Sequence, residues 1–304
     1  MHTAPHDGHA ERCLERATAL RPVDTATLFY ILLSGALAAI FLYPSPVGGL
    51  LALVHGAAAL TLPFVLRFVE RRGSRWMNFF RDWYPTLIFF ALYEETALIN
   101  TGSFVPSLDP WLSRMDDLIF GAQLSEVLPE LLSPVWFQEW MAASYFSYYL
   151  IIPGAGLYLW FRNRERFTRY IFTAAACFYF CYLLFILLPA GGPQQFLTDG
   201  RIHWDGIVFG PLLTAMLGTL EVDTGAFPSS HVAITLISVL FLWKERGRAK
   251  WIATVLFFGL FLATVYGGPH YALDLPAGLA VGFVFVAISN RLYGALDRAT
   301  ENGR

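Results

Sequence analysis

The chain has 304 residues, of which 56% are hydrophobic, 16% aromatic and only 14% charged, with a formal net charge of −2. Soluble domains carry about 25% charged residues, so this composition excludes an ordinary water-soluble protein and points to lipid as the solvent. The near-zero charge also argues against a nucleic-acid partner.

Residues 1–23 are polar and lack the basic start, short apolar core and small-residue cleavage site of a signal peptide, so the first apolar helix is expected to be retained. His2, His6 and His9 read as part of a flexible tail rather than as a metal site. Eight apolar runs follow, at 24–43, 49–69, 83–100, 140–161, 167–189, 229–243, 251–268 and 274–294. Each is expected to be a helix that spans or nearly spans the bilayer, for which about 20 residues are needed. Asp24 reads as the cap of the first. The run at 229–243 is short. The long segment 102–138 has room for structure of its own, and its Trp111 and Trp136, with nearby Trp140, suit anchors at the membrane interface. Cys177 and Cys181, four apart in an apolar run, read as small packing residues on one helix face. Three cysteines make no disulfide framework and no thiolate metal site.

Basic residues orient the chain. Of the 21 Lys+Arg, all but Arg114 and Arg201 fall before the first run, after the second, fourth and sixth, or at the end of the eighth. Basic loops stay cytoplasmic. Both termini are therefore expected in the cytoplasm, with 102–138, 190–228 and the 267–273 turn facing outward. The expected fold is an all-α polytopic bundle. Its parts are a polar tail (1–23), two N-terminal helices with a basic loop (24–80), a main membrane domain (81–294) and a cytoplasmic tail (295–304).

Two outward segments could carry chemistry. Gly225-Ala226-Phe227-Pro228-Ser229-Ser230-His231 precedes the sixth run. Pro228 suits a helix start, which would place Ser229 and Ser230 in the first turn. Their hydroxyls and the free backbone N–H groups there suit an anion, and His231 could donate a proton to it. A plain serine cap beside an interfacial histidine is the competing reading. Val265-Tyr266-Gly267-Gly268-Pro269-His270-Tyr271-Ala272-Leu273-Asp274 joins the last two runs. His270 and Asp274 share a helix face. A carboxylate on one ring nitrogen fixes the tautomer and leaves the other free to attack. A capped turn with one ion pair is the plainer alternative. Tyr93, Glu94 and Glu95 lie within the third run, where carboxylates face a polar interior; with Asn100, Gly268 and Asp223 they are candidates for lining a substrate pocket.

These segments resemble the type 2 phosphatidic acid phosphatase superfamily. Pro228, Ser229, Ser230 and His231 match its Pro-Ser-x-His signature, and His270 and Asp274 match the latter half of Ser-Arg-x5-His-x3-Asp. The resemblance covers roughly residues 80–290, a six-helix core. Phe-Pro-Ser-x-His-Val, His-Tyr-x-x-Asp and Asp117-Leu118-Ile119-Phe120-Gly121 look most like the inositol-phosphorylceramide synthase-like branch. The resemblance implies His270 as a nucleophile forming phosphohistidine, Asp274 orienting it, and His231 as acid and base. It also implies Ser229 and Ser230 as phosphate ligands, with no metal and no cofactor. It implies a lipid phosphate or phospholipid in the bilayer as substrate, with water, a polyol or a second lipid as acceptor, and synthase-like transfer ahead of hydrolysis.

The family's Lys-x6-Arg-Pro signature is missing. The related Gly-Pro-Arg appears as Gly192-Pro193-Gln194, and Thr264 stands where the third signature has Arg. Gln194 becomes a candidate phosphate ligand, and Arg201, His203 and Arg114 are candidate replacements for the lost cations. The losses leave open a non-catalytic lipid-binding or transport protein that keeps the fold. The orientation is testable on its own. A cysteine placed within 198–205 is expected to react with an impermeant thiol reagent in intact cells, and reaction only after permeabilisation would reverse the topology.

Overall fold

The computed structural model describes residues 20–198, 204, 206–220 and 224–302. These residues form helices and no β-strand, so the chain is an all-α bundle, as expected. In chain order the helices are α1 (Pro22–Phe41), α2 (Pro46–Arg72), α3 (Arg75–Asn100), α4 (Asp109–Phe120), α5 (Leu124–Leu131), α6 (Val135–Phe146) and α7 (Tyr148–Arg162). Then come α8 (Arg164–Leu187), α9 (Pro193–Thr198), α10 (Phe209–Leu220), α11 (Ser230–Trp243), α12 (Ala249–Tyr266) and α13 (Asp274–Asn302).

Five helices are long and apolar enough to cross a membrane: α1, α2, α8, α12 and α13. Of the eight expected runs, three take another form. The run at 83–100 is part of α3, which is long but carries Arg75, Arg81, Asp82, Glu94 and Glu95. The run at 140–161 is longer than its apolar stretch, reaching from Val135 to Arg162, and is divided at Ser147 into α6 and α7. Ser147 Oγ donates to the Ser144 carbonyl at 2.6 Å, a local bond that competes with a straight helix. α11 has 14 residues, about 21 Å of rise. That is short of a ~30 Å hydrocarbon core.

α8 is the axis of the bundle. It packs against α1, α3, α7, α11 and α13, and its Tyr170, Ala175, Cys177, Cys181 and Phe185 are fully buried. The two cysteines are free and serve as packing residues. α2 is peripheral, touching α1 and α3 and exposing most of its length. The segment 102–138, expected to have room for structure of its own, contains α4 and α5, and 190–228, expected as a loop, contains α9 and α10.

One end of the bundle is tied by ion pairs. Arg81 is buried inside α3, not free in a basic loop. Its two terminal nitrogens donate to Asp24 at 2.9 and 2.5 Å, and Tyr84 donates to the same carboxylate at 2.6 Å. Asp24 is therefore not the helix cap. It lies inside the first turn, where it also accepts the Arg21 N–H at 2.6 Å. Arg21 bridges Glu70 of α2 and Asp82 of α3 at 2.9 and 2.8 Å, and Asp82 also takes Arg164 of α8 at 2.5 Å. Burying one charge alone costs far more than burying a matched, fully bonded pair. Asp24→Ala is therefore expected to lower stability by about 3 kcal/mol, read as loss of thermal stability in detergent. Replacing Asp24 and Arg81 together by Leu and Met is expected to recover most of that loss. No recovery in the double variant would refute the pairing account.

Candidate active site

At the opposite end from these ion pairs, α11, the 267–273 turn and α13 bring both sequence segments together. Ser229 is the N-cap of α11, accepting the Val232 N–H at 3.3 Å, so Pro228 lies just outside the helix rather than at its first position. Ser230 and His231 form the first turn. The nucleophile candidate is held from both sides of its own turn: the His270 N–H donates to the Thr264 carbonyl at 3.1 Å. Thr264 thus contributes through its backbone.

The side chains form a line. Asp274 Oδ2 lies 3.2 Å from His270 Nδ1. His270 Nε2 lies 3.1 Å from both His231 Nδ1 and Ser229 Oγ. His231 Nε2 is 3.1 Å from the Tyr145 hydroxyl. One tautomer assignment satisfies the chain: Tyr145 donates to His231, His231 to His270, and His270 to Asp274. His270 and Asp274 are buried. Sequence reading missed Tyr145 and Tyr148, whose rings pack on His231 at centroid distances of 5.2 and 4.3 Å. They lie in an apolar run with no motif around them.

His231, His270 and Ser230 sit in the wall of a cleft of about 350 Å³. The rest of the cleft is aromatic and aliphatic, with Phe89, Phe90 and Tyr93 from α3, Tyr148 and Ile152 from α7, and Phe178 and Tyr182 from α8. Leu217 of α10 joins them. No Lys or Arg among the described residues lines it. Tyr93 lines the cleft. Glu94 is not among its lining residues. Glu95 pairs with His55 of α2 at 3.0 Å. Asn100 donates to the Phe185 carbonyl at 2.9 Å, a tie between α3 and α8. Gln194 and Gly268 line a separate pocket of about 490 Å³ with Glu126 and Glu130, on the other side of the 267–269 turn. The Gln194 N–H donates to the Gly268 carbonyl at 2.9 Å. Arg114 is exposed on α4. Arg201, His203 and Asp223 lie outside the described residues.

Two buried aspartates of α4 fasten the loops around the histidines. Asp109 accepts the N–H groups of Gly191 and Gly192 at 2.8 and 2.9 Å and the Tyr271 hydroxyl at 3.0 Å. Asp116 accepts the N–H groups of Ala272 and Leu273 at 2.8 and 3.3 Å. Burial pushes the Asp116 carboxyl above its ordinary value against the pull of those two N–H groups. Burial, then Asp109, pushes the Tyr271 hydroxyl well up, so it stays a donor. Gly192 has φ +85°, and a Cβ there would meet the Pro269 carbonyl oxygen at 2.4 Å. Only glycine lets the 190–193 and 267–270 segments approach so closely. A sequence signal existed in the buried acids flanking the noted Asp117–Gly121 stretch, but no spacing rule tied them to loops 80 to 160 residues away.

The family model of the PAP2 superfamily matches residues 110–288, more than half of the chain and the stretch that contains both histidines. No curated protein and no solved structure matches.

Hydrogen bonds to a charged partner contribute about 1.5–3 kcal/mol each. Asp109→Ala is therefore expected to raise amide hydrogen exchange at Gly191 and Gly192 by at least about tenfold, while α8 keeps its protection. Unchanged exchange at both glycines would show that the carboxylate does not hold the loop.

Proposed function

Because this chain belongs to the PAP2 superfamily, we propose that it is a membrane-embedded lipid phosphatase or phosphotransferase that works through a phosphohistidine at His270. The observation that carries this reading is the line Asp274–His270–His231 set into the wall of an aromatic cleft. Residues 81–294 are the catalytic domain, and the Arg and Lys distribution supports a site on the non-cytoplasmic side, with both termini in the cytoplasm.

Asp274 holds the Nδ1–H tautomer of His270, which leaves the Nε2 lone pair for attack on phosphorus. In the first step a bond forms from Nε2 to phosphorus and the bond to the leaving oxygen breaks. Protonated His231 gives its proton to that oxygen. In the second step His231 takes a proton from water or a hydroxyl acceptor, whose oxygen attacks phosphorus and releases His270. Ser229 and the first-turn N–H groups of α11 suit the phosphoryl oxygens. His231 and Ser229 both lie 3.1 Å from Nε2, so an entering phosphoryl group takes over their contacts.

The cleft wall supports a lipid. Phe89, Phe90, Phe178 and Ile152 carry no hydrogen-bonding group for a sugar or a free nucleotide, but they suit an acyl or prenyl chain. The lack of Lys or Arg in the described lining favours a phosphodiester, with one negative charge, over a doubly charged monoester. This supports headgroup transfer, the synthase-like reaction, over simple phosphate removal. Arg201 is a candidate ligand for the phosphate, whereas Gln194 lines the separate pocket.

The test is turnover of a labelled lipid panel by the purified protein. The panel holds phosphatidic acid, a polyprenyl diphosphate and phosphatidylinositol, each with and without ceramide or polyol. Wild-type turnover is expected on a phosphodiester donor with an acceptor present, none in His270→Ala, and a loss of about 10²–10⁴ in His231→Ala. Turnover that survives in His270→Ala would overturn the mechanism. Free phosphate from phosphatidic acid as the main product would replace transfer by hydrolysis.

A further inference from the structure

A second polar pocket lies at the far end of α11 from His231. It holds about 300 Å³ and is formed by the start of α8, the end of α11 and the middle of α13. Asn163, Glu165, Arg166, Arg169, Lys244 and Asn290 line it, with Phe241 as its floor. Its charges do not cancel. Arg166 pairs with Glu245 and donates to the Lys244 carbonyl at 2.7 Å. Arg169 contacts Glu165 at 3.2 Å, and that carboxylate is 79% exposed, so water screens the pair. Lys244 stands over the Phe241 ring at 5.2 Å with no carboxylate within ion-pair distance among the described residues. Three cations thus face two carboxylates.

The surroundings are those of a lipid. Asn290 Oδ1 accepts from Arg169 at 3.1 Å at the pocket edge. Two turns back on the same face of α13 stands Phe283, 53% exposed beside exposed Val284. A cationic mouth thus continues into an outward apolar stripe. Exposed Trp243 and Trp251, stacked edge to face at 4.7 Å, mark the same level as a membrane interface.

We infer that this pocket binds the phosphate group of an anionic phospholipid in the leaflet opposite the catalytic histidines, with an acyl chain along α13. One surplus positive charge matches one phosphodiester. The site is independent of the catalytic reading, since none of its residues touches the histidine cleft. The bound lipid would brace α8, α11 and α13 together.

The test is native mass spectrometry of the full-length protein with phosphatidylglycerol or phosphatidylcholine. Wild type, Lys244→Glu and Lys250→Glu are compared, the last being a nearby charge in the first turn of α12, outside the pocket. Catalytic-cleft binding is common to all three and cancels. Phosphatidylglycerol bound in excess of phosphatidylcholine is expected to fall at least about fivefold in Lys244→Glu and to persist in Lys250→Glu. Equal losses in both variants would mean diffuse attraction to the charged loop, and no loss in either would mean no site; both overturn the proposal. A parallel arm adds millimolar inorganic phosphate. Displacement of the lipid by phosphate alone would make the ligand a free anion and overturn the lipid assignment.

Discussion

The site depends on aspartates that hydrogen-bond irregular backbone. Away from water, every exposed N–H outside a helix needs a partner, or costs several kcal/mol. The two loops that frame the histidines are such backbone. Five of their N–H groups, those of Gly191, Gly192, Tyr271, Ala272 and Leu273, end on Asp109, Asp116 or Asp274. Asp274 therefore has two duties. It orients His270 through Nδ1 and holds the turn that carries His270 through the Tyr271 N–H at 2.8 Å. The same carboxylates that stabilise the loops fix the nucleophile, so geometry and stability cannot be changed separately at this end of the bundle.

The two ends of the bundle solve opposite problems. At the Asp24–Arg81 end, buried charges are matched by geometry, and Arg21, Asp82 and Arg164 join α1, α3 and α8 into one body. At the histidine end, no Lys or Arg among the described residues lines the cleft. Short α11 connects the two. Its 14 residues bring Ser229 and His231 down to where Tyr145, Tyr148 and the α3 aromatics can enclose them. A longer helix would lift the motif toward water and away from the apolar cleft.

The bundle was legible because lipid imposes simple rules. Long apolar runs became helices, Cys177 and Cys181 became packing residues, and His270 and Asp274, four apart, do meet. The Ser229–His231 and His270–Asp274 segments come together across separate helices, as their shared side suggested. Other features escaped. Arg81 reads as a loop charge until its partner, 57 residues earlier, is known. Asp109 and Asp116 sit in an amphipathic stretch that looks like surface, yet both are buried by contacts with loops far along the chain. Tyr145 and Tyr148 are hidden among aromatics because an apolar run does not announce which ring will face a histidine. Gln194, by contrast, was singled out by motif position, and its place in a separate pocket follows from the tight Gly192 turn, which no pattern of side chains encodes.

The most direct test of the central claim is rapid quenching of the protein with its lipid donor, followed by mass spectrometry of the peptide that contains His270. The account predicts a substituted phosphoryl adduct on His270 that is stable in base, lost in acid, and absent from His270→Ala. It also predicts that the adduct both forms and decays more slowly in His231→Ala, where the first step lacks its acid and the second its base. Full turnover with no adduct on His270, under a quench fast enough to trap it in His231→Ala, would contradict the account.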